Sequence, residues 1–351
     1  MAEDTSGDYD VMELSKAVEL ICKQAKDVHI NDISINTLAE QVICNAISYS
    51  KEFYLHNNCF VRPLTYVTDT VIKADWLFVL HTLNFSLWCP KGTEQWDCGA
   101  EGFPGLCNAM RRAIYEKKPI WDPNYYTKIT RNELEYILRS KNSKTTIPLL
   151  DERLKILHDV GEILLKKYQG TFMECIKLSE YDANKLLKLL FDEFESYRDE
   201  VIYNGKKVRF LCKARSLVAD IWGIPENKFN LDTRNMISTT FIDYRIPLLL
   251  FRFRILSYSD TLLKRFENNE PLEFGSREEI EIRGCSLFVM QKICNEVHNR
   301  INQRYKADER ILKIKSLDIP VMVDNCFLRM MFYDNISFQQ SPFHYIKTLH
   351  Y

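Results

Sequence analysis

An aspartate stands two residues from an aromatic inside an apolar, helix-like run, Thr239-Thr240-Phe241-Ile242-Asp243-Tyr244-Arg245-Ile246-Pro247. Burying an ionised carboxylate carries a large desolvation penalty, so Asp243 must be either paired or used. In one reading it is a structural acid held by Arg245 or Arg252. In the other it is a catalytic carboxylate that stabilises developing positive charge, or that orients or activates a water. Phe241 either packs in the core or offers its ring to a flat ligand, a stack worth ~1–3 kcal/mol for a base. Two positions along a helix point about 200° apart. Phe241 and Asp243 therefore share a pocket only where a helix begins or breaks, and Ser238-Thr239-Thr240 supplies such a start.

Several chemistries are excluded by what is missing. No GxGxxG follows a strand, and there is no GxxxxGK[ST], HExxH or GxSxG. The seven histidines form no ligand-spaced pair, and the eleven cysteines form no CxxC. Cys89, Cys98 and Cys107 recur every nine residues without a nearby ligand pair, so they read as buried thiols and not as a zinc site. No metal and no cofactor is expected. The scattered, odd number of thiols suits a reducing compartment. The first ten residues are acidic and polar, unlike a signal peptide, and no stretch of about twenty apolar residues occurs, so a cytoplasmic protein without a membrane partner is expected. Across 351 residues, 47 basic and 48 acidic side chains nearly cancel. That balance disfavours a nucleic-acid-coating surface and favours a small-molecule ligand.

Helical periodicity predicts the elements that would position these residues: 11–25, 34–48, 68–85, 104–117, 130–140, 149–168, 183–194, 213–222, 237–258, 276–304 and 317–333. The segment 68–85 is apolar on several faces and is expected at the centre. Thr130 with Glu133 forms a capping box. Asn204-Gly205 between alternating residues predicts a tight hairpin over 201–211, and Pro90, Gly92 and Gly99 predict a second over 86–102. The fold class expected is mainly α: one large helical domain over 11–351 with two small β-hairpins, preceded by a flexible acidic N-terminus, 1–10.

Six motifs carry a family resemblance. Phe241 to Pro247, Glu281-Ile282-Arg283-Gly284-Cys285-Ser286-Leu287, Thr82-Leu83-Asn84-Phe85-Ser86-Leu87-Trp88, Ser196-Tyr197-Arg198-Asp199, Val218-Ala219-Asp220-Ile221-Trp222 and Pro342-Phe343-His344 together resemble the queuosine salvage proteins, the queuosine 5′-phosphate N-glycosylase/hydrolases. The likeness runs from about Glu19 to Tyr351. It implies a metal-free cytoplasmic N-glycosidase with a helical fold similar to DNA glycosylases, releasing queuine and ribose 5-phosphate from queuosine 5′-phosphate for salvage into tRNA modification. The alternative is a non-catalytic protein that binds queuine or the nucleotide in the same pocket.

Breaking an N-glycosidic bond builds positive charge on the ribose, which a carboxylate beneath the sugar stabilises. By resemblance Asp243 is that carboxylate and Phe241 the aromatic against the base. His56, in Tyr54-Leu55-His56-Asn57, aligns with a base-contacting histidine, or is a surface loop residue. Asp324 either meets the base edge and its amine-bearing arm or is a helix N-terminal aspartate favoured by the dipole. The 5′-phosphate calls for a cation; Lys213 and Lys347 are the candidates, the alternative for each being a solvated charge. Glu279 and Arg283 read as an i,i+4 ion pair, with Arg283 buttressing the pocket. The chain departs from the family pattern at His81 and Arg329, where relatives carry acids. If both positions touch substrate, a cationic arm is held less well.

Overall fold

The computed structural model describes residues 11–48, 69–89, 92–142, 144–222, 231–232, 244–304, 309–314, 319–333 and 343–351. Within them the chain forms fifteen helices and five short strands. The candidate residues His56, Phe241 and Asp243, and the N-terminal segment 1–10, lie outside the described residues.

The first half builds one core. Helix α3 (Thr70–Thr82) runs through its centre, capped by the Asp69 carboxylate, which accepts from Val71 N–H at 2.8 Å. Nearly every α3 side chain is buried, polar ones included, as expected for a helix apolar on several faces. Around it pack α4 (Gly102–Tyr115), α5 (Pro123–Tyr126), α6 (Arg131–Ile137), α7 (Leu150–Lys167), α8 (Phe172–Leu178), α9 (Ala183–Glu193) and α10 (Cys212–Trp222). Both halves of the Thr130/Glu133 capping box form. Buried Asp75 of α3 accepts from Phe172 N–H at 2.6 Å and Thr171 Oγ at 2.9 Å, tying α3 to the start of α8. Burial nevertheless pushes its carboxyl up to about 7.

The second half is organised on α13 (Arg277–Arg304), a 28-residue helix and so roughly 42 Å long. Against it lie α1 (Leu14–Gln24), α2 (Asp32–Ser48), α11 (Arg245–Arg252) and α15 (Ile319–Tyr333), with α12 (Asp260–Glu267) and α14 (Glu309–Ile314) completing the apolar core. Helix α1 buries Leu14, Ala17, Val18 and Ile21 on α13, the spacing of a single apolar stripe. Gly284 makes that approach possible: a Cβ there would meet Ile21 Cγ2 at 2.6 Å. The same contact brings the Cys22 and Cys285 thiols to 3.6 Å.

The predicted 201–211 hairpin is present as β3 (Glu200–Tyr203) and β4 (Lys206–Arg209), its two turn residues Asn204 and Gly205 both at positive φ. β1 (Val11–Met12) adds in parallel to β4. Two expectations are corrected. Residues 86–102 do not pair as a hairpin; among those described, only an isolated Asp97–Glu101 bridge forms. The chain there instead follows the distant segment 343–351, with Trp88 Nε1 donating to Ile346 O at 3.0 Å. The second small sheet is β2 (Val28–Ile30) with β5 (Leu256–Tyr258), antiparallel partners far apart in the chain. The helix expected to continue to 258 stops at Arg252. The chain turns through left-handed Arg254 and enters β5, a stop that no glycine announces.

Candidate functional site

A narrow cleft lies where the two halves and the C-terminal segment meet. Asn84, Phe85, Ser86 and Leu87 follow α3 into it. Phe103 enters from the start of α4, Cys212, Lys213 and Ser216 from the start of α10, and Tyr244 and Tyr351 complete the lining. Its open volume, mouth included, is about 390 Å³, but only about 20 Å³ is deep enough to admit a water-sized sphere, which is room for roughly one water. A nucleotide can enter only if the cleft widens. Tyr244 is the first described residue after Asp243. Its ring meets Phe343 edge-on at 5.5 Å. Gly102 leaves space for its hydroxyl: φ there is +65°, and a Cβ would lie 2.9 Å from Tyr244 Oη.

Lys213 is the charge in this lining. It is buried, and Nζ donates to Leu349 O at 2.9 Å and Thr82 O at 3.4 Å, over the rings of Tyr197 and Phe85 at 4.7 and 5.2 Å. Among the described residues no carboxylate stands within ion-pair distance of it. Burial first, and the neighbouring Arg153 second, pull its ammonium down to about 7. Arg153 of α7 is equally enclosed and also without a carboxylate partner among the described residues. Its guanidinium donates to Pro148 O at 2.9 Å, to Phe85 O at 2.6 Å and to Leu83 O, and it covers the Phe85 ring at 4.1 Å. Burial lowers Arg153 to about 9, which leaves it cationic at neutral pH. Two buried basic groups, satisfied by carbonyls and ring faces and reached by Asp199 and Glu152 only beyond ion-pair distance among the described residues, make this wall electropositive.

Behind the wall sits a second buried cluster with the opposite bookkeeping. Arg283 of α13 is 1% exposed and pairs with both Asp199 and Glu279, the latter at 3.1 Å. Tyr351 Oη donates to Glu279 Oε1 at 2.9 Å, and Cys212 N–H to Asp199 Oδ2 at 3.0 Å. Burial would raise Asp199, but Arg283 and the hydrogen bonds outweigh it and hold the carboxyl below its usual range. Glu279 is raised, burial prevailing over Arg283. The i,i+4 pair expected from sequence is present, and Arg283 does buttress the cleft, through Tyr351 and the first residue of α10.

Of the other candidates, Asp324 is buried on α15, a helix that packs against α11 just after Tyr244, and it is not among the described lining residues. Lys347 is exposed on the C-terminal segment, outside the lining. The backbone of Arg329 belongs to α15. His81 is fully buried on α3, with Nε2 2.7 Å from Asp220 Oδ2 on α10 and its ring against Phe103. It thus stands one layer behind the cleft. Sequence reasoning missed Arg153, Phe103 and Tyr351. Arg153 carries a signal, a cation in the apolar stripe of a helix, whereas Tyr351 reaches the cleft only through long-range packing.

Fold and cleft together define a mainly helical protein whose halves enclose one cationic, aromatic-walled cleft. The chain belongs to the queuosine salvage protein family, whose model matches residues 64–351. It is 34% identical over 284 residues to the queuosine 5′-phosphate N-glycosylase/hydrolase of Bos taurus, covering 79% of this chain and 82% of the relative. Similarity to the protein of that name from Nematostella vectensis extends over 357 aligned residues at 31% identity, 97% of this chain and 99% of the relative. The Mus musculus protein of that name is 33% identical over 286 residues. No described helix is long and apolar enough to cross a membrane.

Proposed function

We propose that this protein hydrolyses the N-glycosidic bond of queuosine 5′-phosphate, releasing queuine and ribose 5-phosphate. The relatives' name supplies the substrate, and the observation that carries the reading is Lys213, a buried amine in the cleft lining with no carboxylate within ion-pair distance among the described residues. An anionic ligand completes such a site, and a 5′-phosphate is that anion. Lys213 anchors the phosphate, with Arg153 contributing field from behind Phe85. Lys347, exposed and outside the lining, plays at most a peripheral part in attracting the nucleotide.

Asp243 precedes Tyr244, whose ring lines the same cleft, and in this reading it stands beneath the ribose. As the bond to the base lengthens, the sugar gains oxocarbenium character, and an ionised carboxylate in a water-poor site stabilises it. Water then adds to the sugar carbon, and its proton passes to Asp243 or to the departing base. Phe241 stacks on the base; His56 and Asp324 meet its edge and its cationic arm. The protein acts on the free nucleotide in the cytoplasm and needs neither a nucleic acid nor a membrane partner.

Incubating purified protein with queuosine 5′-phosphate and resolving products by chromatography tests this. Free queuine and ribose 5-phosphate should appear, and Asp243→Asn should lower kcat by ~10³-fold or more, the scale of removing one electrostatic stabiliser. Intact nucleotide after incubation with a folded wild-type protein would refute the reading.

A further inference from the structure

We propose that Asn84 is a substrate-contacting residue, and that its side-chain amide binds the ribose hydroxyls of the nucleotide whose phosphate Lys213 holds. The inference rests on the functional reading above for the identity of the ligand. Its structural basis is separate and lies in how the turn after α3 is built.

The residues flanking Asn84 are pinned from two directions. Arg153 reaches across from α7 and donates to Leu83 O and Phe85 O, on either side of it. From the other side comes the 343–351 segment. Ser86 N–H donates to Tyr351 O at 3.0 Å, Ser86 Oγ donates to Thr348 O at 2.8 Å, and Thr348 N–H returns a bond to Ser86 Oγ at 2.9 Å. These bonds hold Ser86 at φ +41°, a left-handed conformation that a residue with a Cβ rarely adopts. Strain of this kind costs ~1–3 kcal/mol and persists only where the surroundings over-determine it. Asn84's own N–H is occupied by His81 O at 3.1 Å.

Within this pinned turn the Asn84 amide is the exception. Asn84 lines the cleft, yet its side chain makes no hydrogen bond among the described residues. An asparagine amide offers two donors and an acceptor. A turn held at the neighbouring positions, with a half-buried asparagine in the cleft lining whose amide has no partner among the described residues, is suited to present that amide to a ligand. The groups it suits both donate and accept, as vicinal hydroxyls do. In a nucleotide the sugar is the unit joined directly to the phosphate, so it is the part that shares this narrow end with Lys213.

Calorimetric titration with two probes, inorganic phosphate and ribose 5-phosphate, tests the assignment on wild type, Asn84→Ala and Asn84→Asp. Because the Asn84 side chain makes no hydrogen bond among the described residues, both variants should keep the wild-type melting temperature. Wild type should bind ribose 5-phosphate more tightly than inorganic phosphate. Asn84→Ala should lose about tenfold or more toward ribose 5-phosphate, the scale of an unmade hydrogen bond, while its affinity for inorganic phosphate stays within about twofold. Asn84→Asp, which removes the donors and adds a negative charge, should weaken both. If wild type binds both probes and Asn84→Ala matches it on each, the proposal is overturned and the functional reading stands. If wild type binds neither, the phosphate reading falls and takes this one with it.

Discussion

Lys213 and Arg283 are both buried cations, and their surroundings give them different consequences. Lys213 has an ordinary value of 10.5 and a folded-state value of about 7. Between those limits the unfolded chain binds the extra proton, so this residue makes stability rise with pH from about 7 to 10.5, and its burial cost is fully present below about 7. An anion at Nζ raises the folded value, so phosphate binding takes up a proton above pH 7. Calorimetry with inorganic phosphate should show affinity falling about tenfold per pH unit from pH 7 to 9, and Lys213→Arg, charged throughout, should flatten that slope. A slope of equal size in the arginine variant would refute the assignment. Arg283→Met should cost ~3–5 kcal/mol in urea unfolding, because it leaves Asp199 and Glu279 buried together without their partner.

The elements reward a different test. Helices α1 and α13 touch at Gly284, where a Cβ would lie 2.6–3.1 Å from three atoms of Ile21. Gly284→Ala should therefore lower stability by ~1–3 kcal/mol through overpacking, despite the gain in helix propensity; an unchanged urea midpoint would contradict the close approach. That contact marks how much of the fold was legible in the sequence. The apolar stripe of α1, the all-round burial of α3, the Thr130/Glu133 box and the Asn204-Gly205 turn are local signals, and the structure carries all of them. The stop of α11 and the path of 86–102 were misread because their causes are non-local: β5 pairs with a strand over two hundred residues upstream, and Ser86 with Thr348. At the cleft, Lys213 was legible only as a candidate cation for the phosphate, with a solvated charge as the alternative, and Arg283 as the partner of Glu279 one helical turn away. Asn84 and Tyr351 acquire meaning only through the fold, and Asp243, Phe241 and His56 remain proposals beyond the described residues.

At the scale of the whole molecule, buried histidines and buried carboxyls shape the acid limb of stability in opposite directions. Burial, with Arg283 adding, pulls His344 down to about 4; burial likewise takes His350 to about 4. From pH 6.5 down to about 4 the unfolded chain alone takes up these two protons, so stability is lost across that window. Asp75, raised to about 7, works the other way: the folded state holds its proton between 3.8 and 7, which offsets one of the two. Glu279, raised by burial, acts on the same side as Asp75, so the histidines and the carboxyls oppose each other across this window. Urea midpoints measured from pH 4 to 6.5 should fall less steeply toward acid in His344→Asn than in wild type, and more steeply in Asp75→Asn; indistinguishable slopes would rule the account out. The cleft, finally, draws its walls from positions as far apart as 84 and 351, so it is complete only once the two ends of that span have docked. On the proposal that Lys213 holds phosphate, half-assembled molecules should be blind to it, and the fraction of a preparation that binds ligand should count the chains that have closed completely.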